Sequence, residues 1–227
     1  MDEKIRIIYP MIRSLSFVTG YPTGLPGIGR RKLGFQDRLN VLVGPNGSGK
    51  STILSTLARA VGCGDGGWSR GEAAELDFDY RIDWDGRPVF YQDCHRDSEI
   101  SFLNPAFFTE KAFLRSSGEK RIGLINELID AFETRFPTYK LKSDDRPTIL
   151  LDEIDNHIGF AGQSILWKDV FPGLLKKYQV IVSTHSIFPL LLRRDNSLRS
   201  DNIIQLYQDY SGICIGELAE AIQYFNR

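Results

Sequence analysis

The sequence predicts an α/β fold with a mainly parallel central sheet, and three observations predict it. Short apolar runs at residues 39–43, 148–151 and 180–182 read as buried strands. Segments of helical spacing lie between them: 53–61, and a stripe of Ile122, Ile125, Leu128, Ile129, Phe132 and Phe136. Strands separated by helices favour parallel pairing. Between the first strand and the first helix sits Gly44-Pro45-Asn46-Gly47-Ser48-Gly49-Lys50-Ser51-Thr52, a complete G-x-x-x-x-G-K-[ST] loop in the strand–loop–helix setting that this motif requires.

In chain order, residues 5–17 are β-rich and apolar, broken by Pro10, and predict an early strand pair. Residues 20–34 are dense in Gly and Pro and read as a long surface loop. The first helix stops at Gly62, and a glycine-rich loop follows over 62–71. Leu76, Phe78, Tyr80, Ile82 and Trp84 then alternate with Glu75, Asp77, Asp79, Arg81 and Asp83, the period of a half-buried strand with an acidic outer face. Asp85-Gly86 predicts a turn into Val89-Phe90-Tyr91, and so an antiparallel β-hairpin subdomain. Residues 93–136 predict a short helical lobe, and 137–147 a polar link. The tail reads as a hairpin, 203–207 with 213–215, turning near Ser211-Gly212 and closed by a short helix.

Length and composition predict one large domain spanning 1–227, with 42% hydrophobic residues, enough for a core. The net charge of -1 does not indicate a polyanion binder, so any DNA contact would come from a local patch. Arg30-Arg31-Lys32 and Arg193-Arg194 read as solvated surface charge. Three widely spaced cysteines, without C-x-x-C, argue against a disulfide framework or a zinc site and for a reducing cytoplasm. No stretch approaches a membrane span, and direct membrane insertion is not expected.

The glycine loop turns backbone N–H groups around phosphate oxygens, and the following helix points its positive end at the same anion. Asn46, Gly47, Ser48, Gly49, Lys50, Ser51 and Thr52 are the candidate nucleotide cradle. Lys50 is expected at the β- and γ-phosphates, and the Ser51 hydroxyl on Mg²⁺. Asp152 and Glu153 end the 148–151 strand, where a metal-holding carboxylate and a water-polarising one belong. His185, in Ser183-Thr184-His185-Ser186, ends the next strand and can donate to the γ-phosphate or the attacking water. His95 and His157 read as structural. Arg115-Ser116-Ser117-Gly118-Glu119-Lys120 holds a capping box, Ser116-x-x-Glu119, that can also bind an anion.

Together these residues resemble the ABC-type ATPases, above all the branch of SMC, Rad50, RecF and OLD-like proteins and small stand-alone AAA-family ATPases. The signature of that family usually reads L-S-G-G-Q or L-S-G-G-E; Arg115–Glu119 keeps its serine, second glycine and acidic residue and lacks its leucine and first glycine. The resemblance implies ATP as ligand, Asp152 on Mg²⁺, Glu153 as base and His185 as switch histidine. It implies Gln92 as a metal-contacting glutamine and Asp155 in a dimer-contacting loop. It further implies an ATP-dependent homodimer in which Ser116 and Gly118 complete the partner's site. A ring-forming AAA+ ATPase would show an asparagine sensor in place of Thr184-His185-Ser186.

The stretch between Gln92 and Ser116 is too short for a long coiled coil or for the full helical lobe with which transporter ATPases grip their membrane subunit, and no Toprim-type nuclease domain is expected after His185. The expected function is ATP-driven conformational change in a complex of DNA-repair or anti-phage-defence type, with a protein effector as partner. The alternative is the ATPase subunit of an ABC transporter, and a slowly hydrolysing nucleotide sensor is a third reading. Tyr21, Phe17 and Phe35 are the candidates for stacking on the base.

Overall fold

The computed structural model describes residues 11–63, 67–69, 73–93, 146–156, 159–194 and 202–225. The lobe over 93–136 lies outside the described residues except for Asp93, as do Ser116, Gly118, His95 and His157.

Among the described residues the strands form two sheets. β1 (Ile12–Phe17) pairs antiparallel with β2 (Lys32–Gly34) and with β5 (Tyr80–Trp84). The larger sheet has the order β4-β6-β7-β8-β3-β9. It comprises β4 (Gly67–Trp68), β6 (Val89–Asp93), β7 (Thr148–Asp152), β8 (Gln179–Ser183), β3 (Leu39–Val43) and β9 (Asn202–Gln205). All pairings in it are parallel except that of edge strand β4. This is the mainly parallel sheet expected from the sequence. β3, β7 and β8 are buried at every position, as strands covered on both faces must be.

Helix α1 (Lys50–Ala60) covers one face of the parallel sheet. Its Ile53, Leu54, Leu57 and Ala58 share a core with Leu42, Leu150 and Ile181, and with Ile12, Leu15 and Phe17 of the antiparallel sheet. Gly62 ends α1 as expected: Cys63 N donates to Ala58 O at 2.8 Å and Gly62 N to Arg59 O at 3.1 Å, a closed double turn. Burial pushes the Cys63 thiol up to about 12, which makes it inert. On the opposite face, α2 (Phe160–Ile165) runs through a π turn, Leu166–Val170, into α3 (Phe171–Leu174). There Trp167, Phe171 and Leu174 pack on Val41, Ile149, Leu151 and Val182, and α4 (Phe188–Arg194) adds Phe188, Leu190 and Leu192.

Two expectations fail, each for a tertiary reason. The Asp85-Gly86 turn forms, but it joins two sheets instead of closing a hairpin. β5, with every other residue exposed, suits the antiparallel sheet and its wet face. β6, buried over its first four residues, suits the interior beside β7. The tail is not a hairpin either: after β9 comes α5 (Tyr210–Phe225). Gln205 Oε1 accepts from Ser211 N at 2.8 Å and anchors its first turn, while Tyr210, Cys214 and Ile215 pack on the core. Of the strand pair expected within residues 5–17, β1 is present from Ile12 and residues 5–10 lie outside the described residues; the partner of β1 is β2, at the end of the stretch read as a loop.

The two sheets are pinned by Gln179. Its Oε1 accepts from Ile12 N at 3.1 Å and from Thr148 Oγ1 at 2.7 Å. Its Nε2 donates to Ile12 O and to Gln36 O, each at 2.8 Å. The residue is fully buried, so a change that removes the amide strands polar groups that water cannot reach. Gln179→Met, which nearly preserves volume, is expected to lower unfolding free energy by at least about 3 kcal/mol. Urea denaturation followed by circular dichroism measures it.

Candidate functional site

The C-terminal ends of β3, β7 and β8 lie side by side, with Val41 in register with Val182 and Asp152 with Ser183. Open parallel sheets bind ligands at this edge. The glycine loop follows β3 and runs straight into α1.

Asn46 and Gly47 form the exposed tip of the loop; Ser48 and Gly49 are buried, Ser51 is exposed and Thr52 half-buried. Gly49 has φ 103°, a left-handed conformation that strains other residues. A Cβ there would also meet Ile28 Cδ1 at 2.6 Å. Lys50 is buried, and its Nζ donates to the carbonyls of Gly44 at 3.0 Å and Pro45 at 3.2 Å. Burial lowers the Lys50 ammonium below the ordinary lysine value, and the carboxylates of Glu153 and Asp152 oppose the shift.

Asp152 is buried, which raises its carboxyl above the usual aspartate value, against hydrogen bonds from Ser183 and Ser51. Ser183 Oγ donates to Asp152 Oδ1 and accepts from Glu153 N at 2.9 Å. The backbone of Glu153 is left-handed, φ 48°, so the chain kinks directly after the strand. Its Oε1 lies 3.0 Å from His185 Nε2. Both side chains keep contact with solvent, 19% exposed for Glu153 and 39% for His185, as groups that meet a ligand must. The structure thus brings together Lys50, Ser51, Asp152, Glu153 and His185.

The pairing of the Ser51 hydroxyl with the Asp152 carboxylate is the hard-oxygen donor set that suits Mg²⁺. These residues fit the ion that the motif implies.

Two expected site residues are placed differently. Gln92 is in register with Leu151 in β6 and β7, whereas Asp93 is in register with Asp152. Side chains alternate along a strand, so Gln92 takes the sheet face opposite Asp152, and its Nε2 donates to Asp93 O at 2.9 Å. Asp93, which the sequence reading passed over, shares Asp152's face and acts on its charge. Asp155 does not reach outward toward a partner. It is buried, and its Oδ2 accepts from Thr184 Oγ1 and from Trp167 Nε1, the latter at 3.2 Å. Burial raises its carboxyl too, against both donors.

Among the stacking candidates, Phe17 and Phe35 are core residues. Tyr21 is 62% exposed, edge-on to Phe78 with ring centroids 5.3 Å apart.

The Gly- and Pro-dense loop before β2 also has a role that its composition alone does not reveal. Arg31 Nη2 donates to Gln205 O at 3.1 Å, tying the loop to the end of β9. A Cβ on Gly27 would lie 2.3 Å from Ser48 O and 2.5 Å from Leu206 Cβ. The loop therefore backs directly on the glycine cradle, with no room for a methyl group.

The family model described as "AAA domain, putative AbiEii toxin, Type IV TA system" matches residues 39–103, which hold β3, the glycine loop and α1. No curated protein matches. Solved structures similar to this chain include the SMC head domain from Thermotoga maritima, 20% identical over 78% of this chain and 89% of that chain, TM-score 0.46. Another is a nucleotide-free ATP-binding cassette from an ABC transporter, 13% identical over 80% and 83%, TM-score 0.43. A third is cbiO1 from Clostridium perfringens, part of the ABC transporter complex cbiONQ, 15% identical over 79% and 80%, TM-score 0.43. Over residues 39–103 the family match bears out the motif-based resemblance to P-loop ATPases. Among the described residues no helix is long and apolar enough to cross a membrane.

Gly27→Ala is expected to weaken nucleotide binding roughly tenfold while leaving the fold intact, because the methyl group must push the Ser48 peptide out of line. Titration with a fluorescent ATP analogue measures the loss, and circular dichroism checks the fold.

Proposed function

We propose that the chain is an ATP-binding and ATP-hydrolysing protein that works as an ATP-sandwiched homodimer. The convergence of Lys50, Ser51, Asp152, Glu153 and His185 at one sheet edge carries this reading. Residues 1–227 act as one ATPase domain, with the segment around 93–136 as its reduced helical lobe.

Asn46 to Thr52 wrap the phosphates, and Lys50 exchanges its Gly44 and Pro45 carbonyl partners for the β- and γ-oxygens. Ser51 and Asp152 hold Mg²⁺, which neutralises charge on those oxygens when bound. Glu153 takes the proton of the attacking water. His185, whose Nε2 rests at Glu153, donates to the γ-phosphate once that N–H leaves the Glu153 carboxylate. Ser116 and Gly118 of a second copy complete the site. Binding closes the dimer and hydrolysis opens it, turning ATP energy into a change of shape.

The role that fits best is in a cytoplasmic complex of DNA-repair or anti-phage-defence type, acting on a protein effector. The Ser-Thr-His-Ser strand end supports it, as does the matched family's description, which names a toxin of a Type IV toxin–antitoxin system. The alternative, an ABC transporter ATPase subunit, is weaker because only about two dozen residues separate Gln92 from Ser116.

Glu153→Gln keeps the side chain's size and removes the base. With ATP and Mg²⁺ it is expected to slow hydrolysis at least ~100-fold and to double the solution mass from 25.8 kDa. Light scattering across a wide concentration range measures the mass. A variant that binds ATP yet stays monomeric would sink the sandwich. Lys50→Ala is expected to lose ATP binding and dimerisation together.

A further inference from the structure

Asp155 was expected to face a partner and instead faces inward. What it holds there suggests its purpose. Its Oδ2 accepts from Thr184, the residue before His185. Thr184 Oγ1 accepts from Ser186 N, the residue after His185, at 2.8 Å. Ser186 Oγ then donates to Gln163 Oε1 at 2.8 Å and accepts from Phe188 N at 3.2 Å, at the start of α4. Both neighbours of His185 are thus fixed, while His185 itself stays open to solvent and within 3.0 Å of Glu153.

The second donor to Asp155 comes from across the layer. Trp167 is fully buried, and its indole N–H reaches Asp155 from the π turn Leu166–Val170. A π turn is rare and carries a conformational cost, and such turns recur at functional sites. A buried indole needs an acceptor, and a backbone carbonyl would serve. Here the acceptor is a carboxylate whose burial is itself unfavourable, and which also accepts from the hydroxyl of Thr184, the residue before His185.

We propose that Asp155, Thr184 and Trp167 form a positioning device that holds His185 at Glu153, linking the histidine to the helical layer behind the sheet. The inference rests on the role proposed for His185. Asp155 and Trp167 act through the loop that carries the histidine and are positioning residues.

Trp167→Phe keeps an aromatic ring in the core and removes only the N–H. The expected result is a roughly tenfold loss of single-turnover hydrolysis at saturating ATP, with ATP affinity within about twofold. In a His185→Ala background the same substitution is expected to cost nothing further, because the group being positioned is gone. Thr184→Val should behave like Trp167→Phe, and Thr184→Ser, which keeps the hydroxyl, should restore the rate. If Trp167→Phe does not fold, the Thr184 pair provides the test. An independent readout is the His185 ring resonance by NMR, identified among three histidines by its loss in His185→Ala. It is expected to move in Trp167→Phe.

An equal loss with and without His185, or an unmoved ring resonance, would overturn the proposal. If His185→Ala hydrolyses normally, the catalytic role of His185 fails; the resonance alone then decides whether the network positions the ring.

Discussion

One hydroxyl group sets the geometry of the candidate site. Ser183 Oγ has a single proton, which it gives to Asp152, and its lone pair takes the Glu153 N–H. The Asp152 carboxylate and the Glu153 peptide therefore meet at one atom on the neighbouring strand. This works only if β7 and β8 run parallel, adjacent and in register, with Asp152 opposite Ser183. A slip by one residue would turn Ser183 to the other face and release both. That register is enforced by burial on both faces, α1 on one side and the Trp167–Leu174 layer on the other. Core packing and the chemistry of the sheet edge are thus the same constraint seen from two ends.

The two layers differ in how their positions are fixed. The antiparallel sheet reaches the parallel one through the amide of Gln179, and through the 20–31 loop pressed against the glycine cradle. Both contacts are made by backbone groups or by one rigid amide, so the phosphate loop sits on a stiff support. The solvent-facing side of the site, Glu153 and His185, rests instead on a chain of side-chain hydrogen bonds through Ser183, Thr184 and Ser186.

What could be read from the sequence follows from how local each signal is. The glycine loop, the stop at Gly62 and the buried strands at 39–43, 148–151 and 180–182 are fixed by neighbours in the chain, and all were legible. The Asp152-Glu153 and His185 positions were legible because a strand's end marks a sheet's edge. The sheet to which a strand belongs is not local. Asp85-Gly86 promised a hairpin, and only the alternative partners β1 and β7 reveal why none forms. The residue type of Gln92 points to the site, but its face is decided by register with Leu151. Asp155 resembles an exposed acid until Trp167, a dozen residues on, supplies its N–H. In α5, Ile213-Cys214-Ile215 has strand-like composition, and packing on the core together with the Gln205 anchor makes it helical. Gly27 passed as loop filler because close approach to Ser48 leaves no trace in composition.

The left-handed backbone of Glu153 has a consequence for how such a chain can change over time. At φ 48° a glycine or asparagine would sit more comfortably than glutamate, by an amount on the order of 1 kcal/mol. On the role proposed for Glu153, mutational drift toward a more stable protein and drift toward a catalytically dead one therefore point the same way at this position. A lineage that needed only to bind nucleotide would gain stability by giving the glutamate up. Keeping a glutamate at a strained position is a cost that selection for turnover, and not for folding, would have to bear.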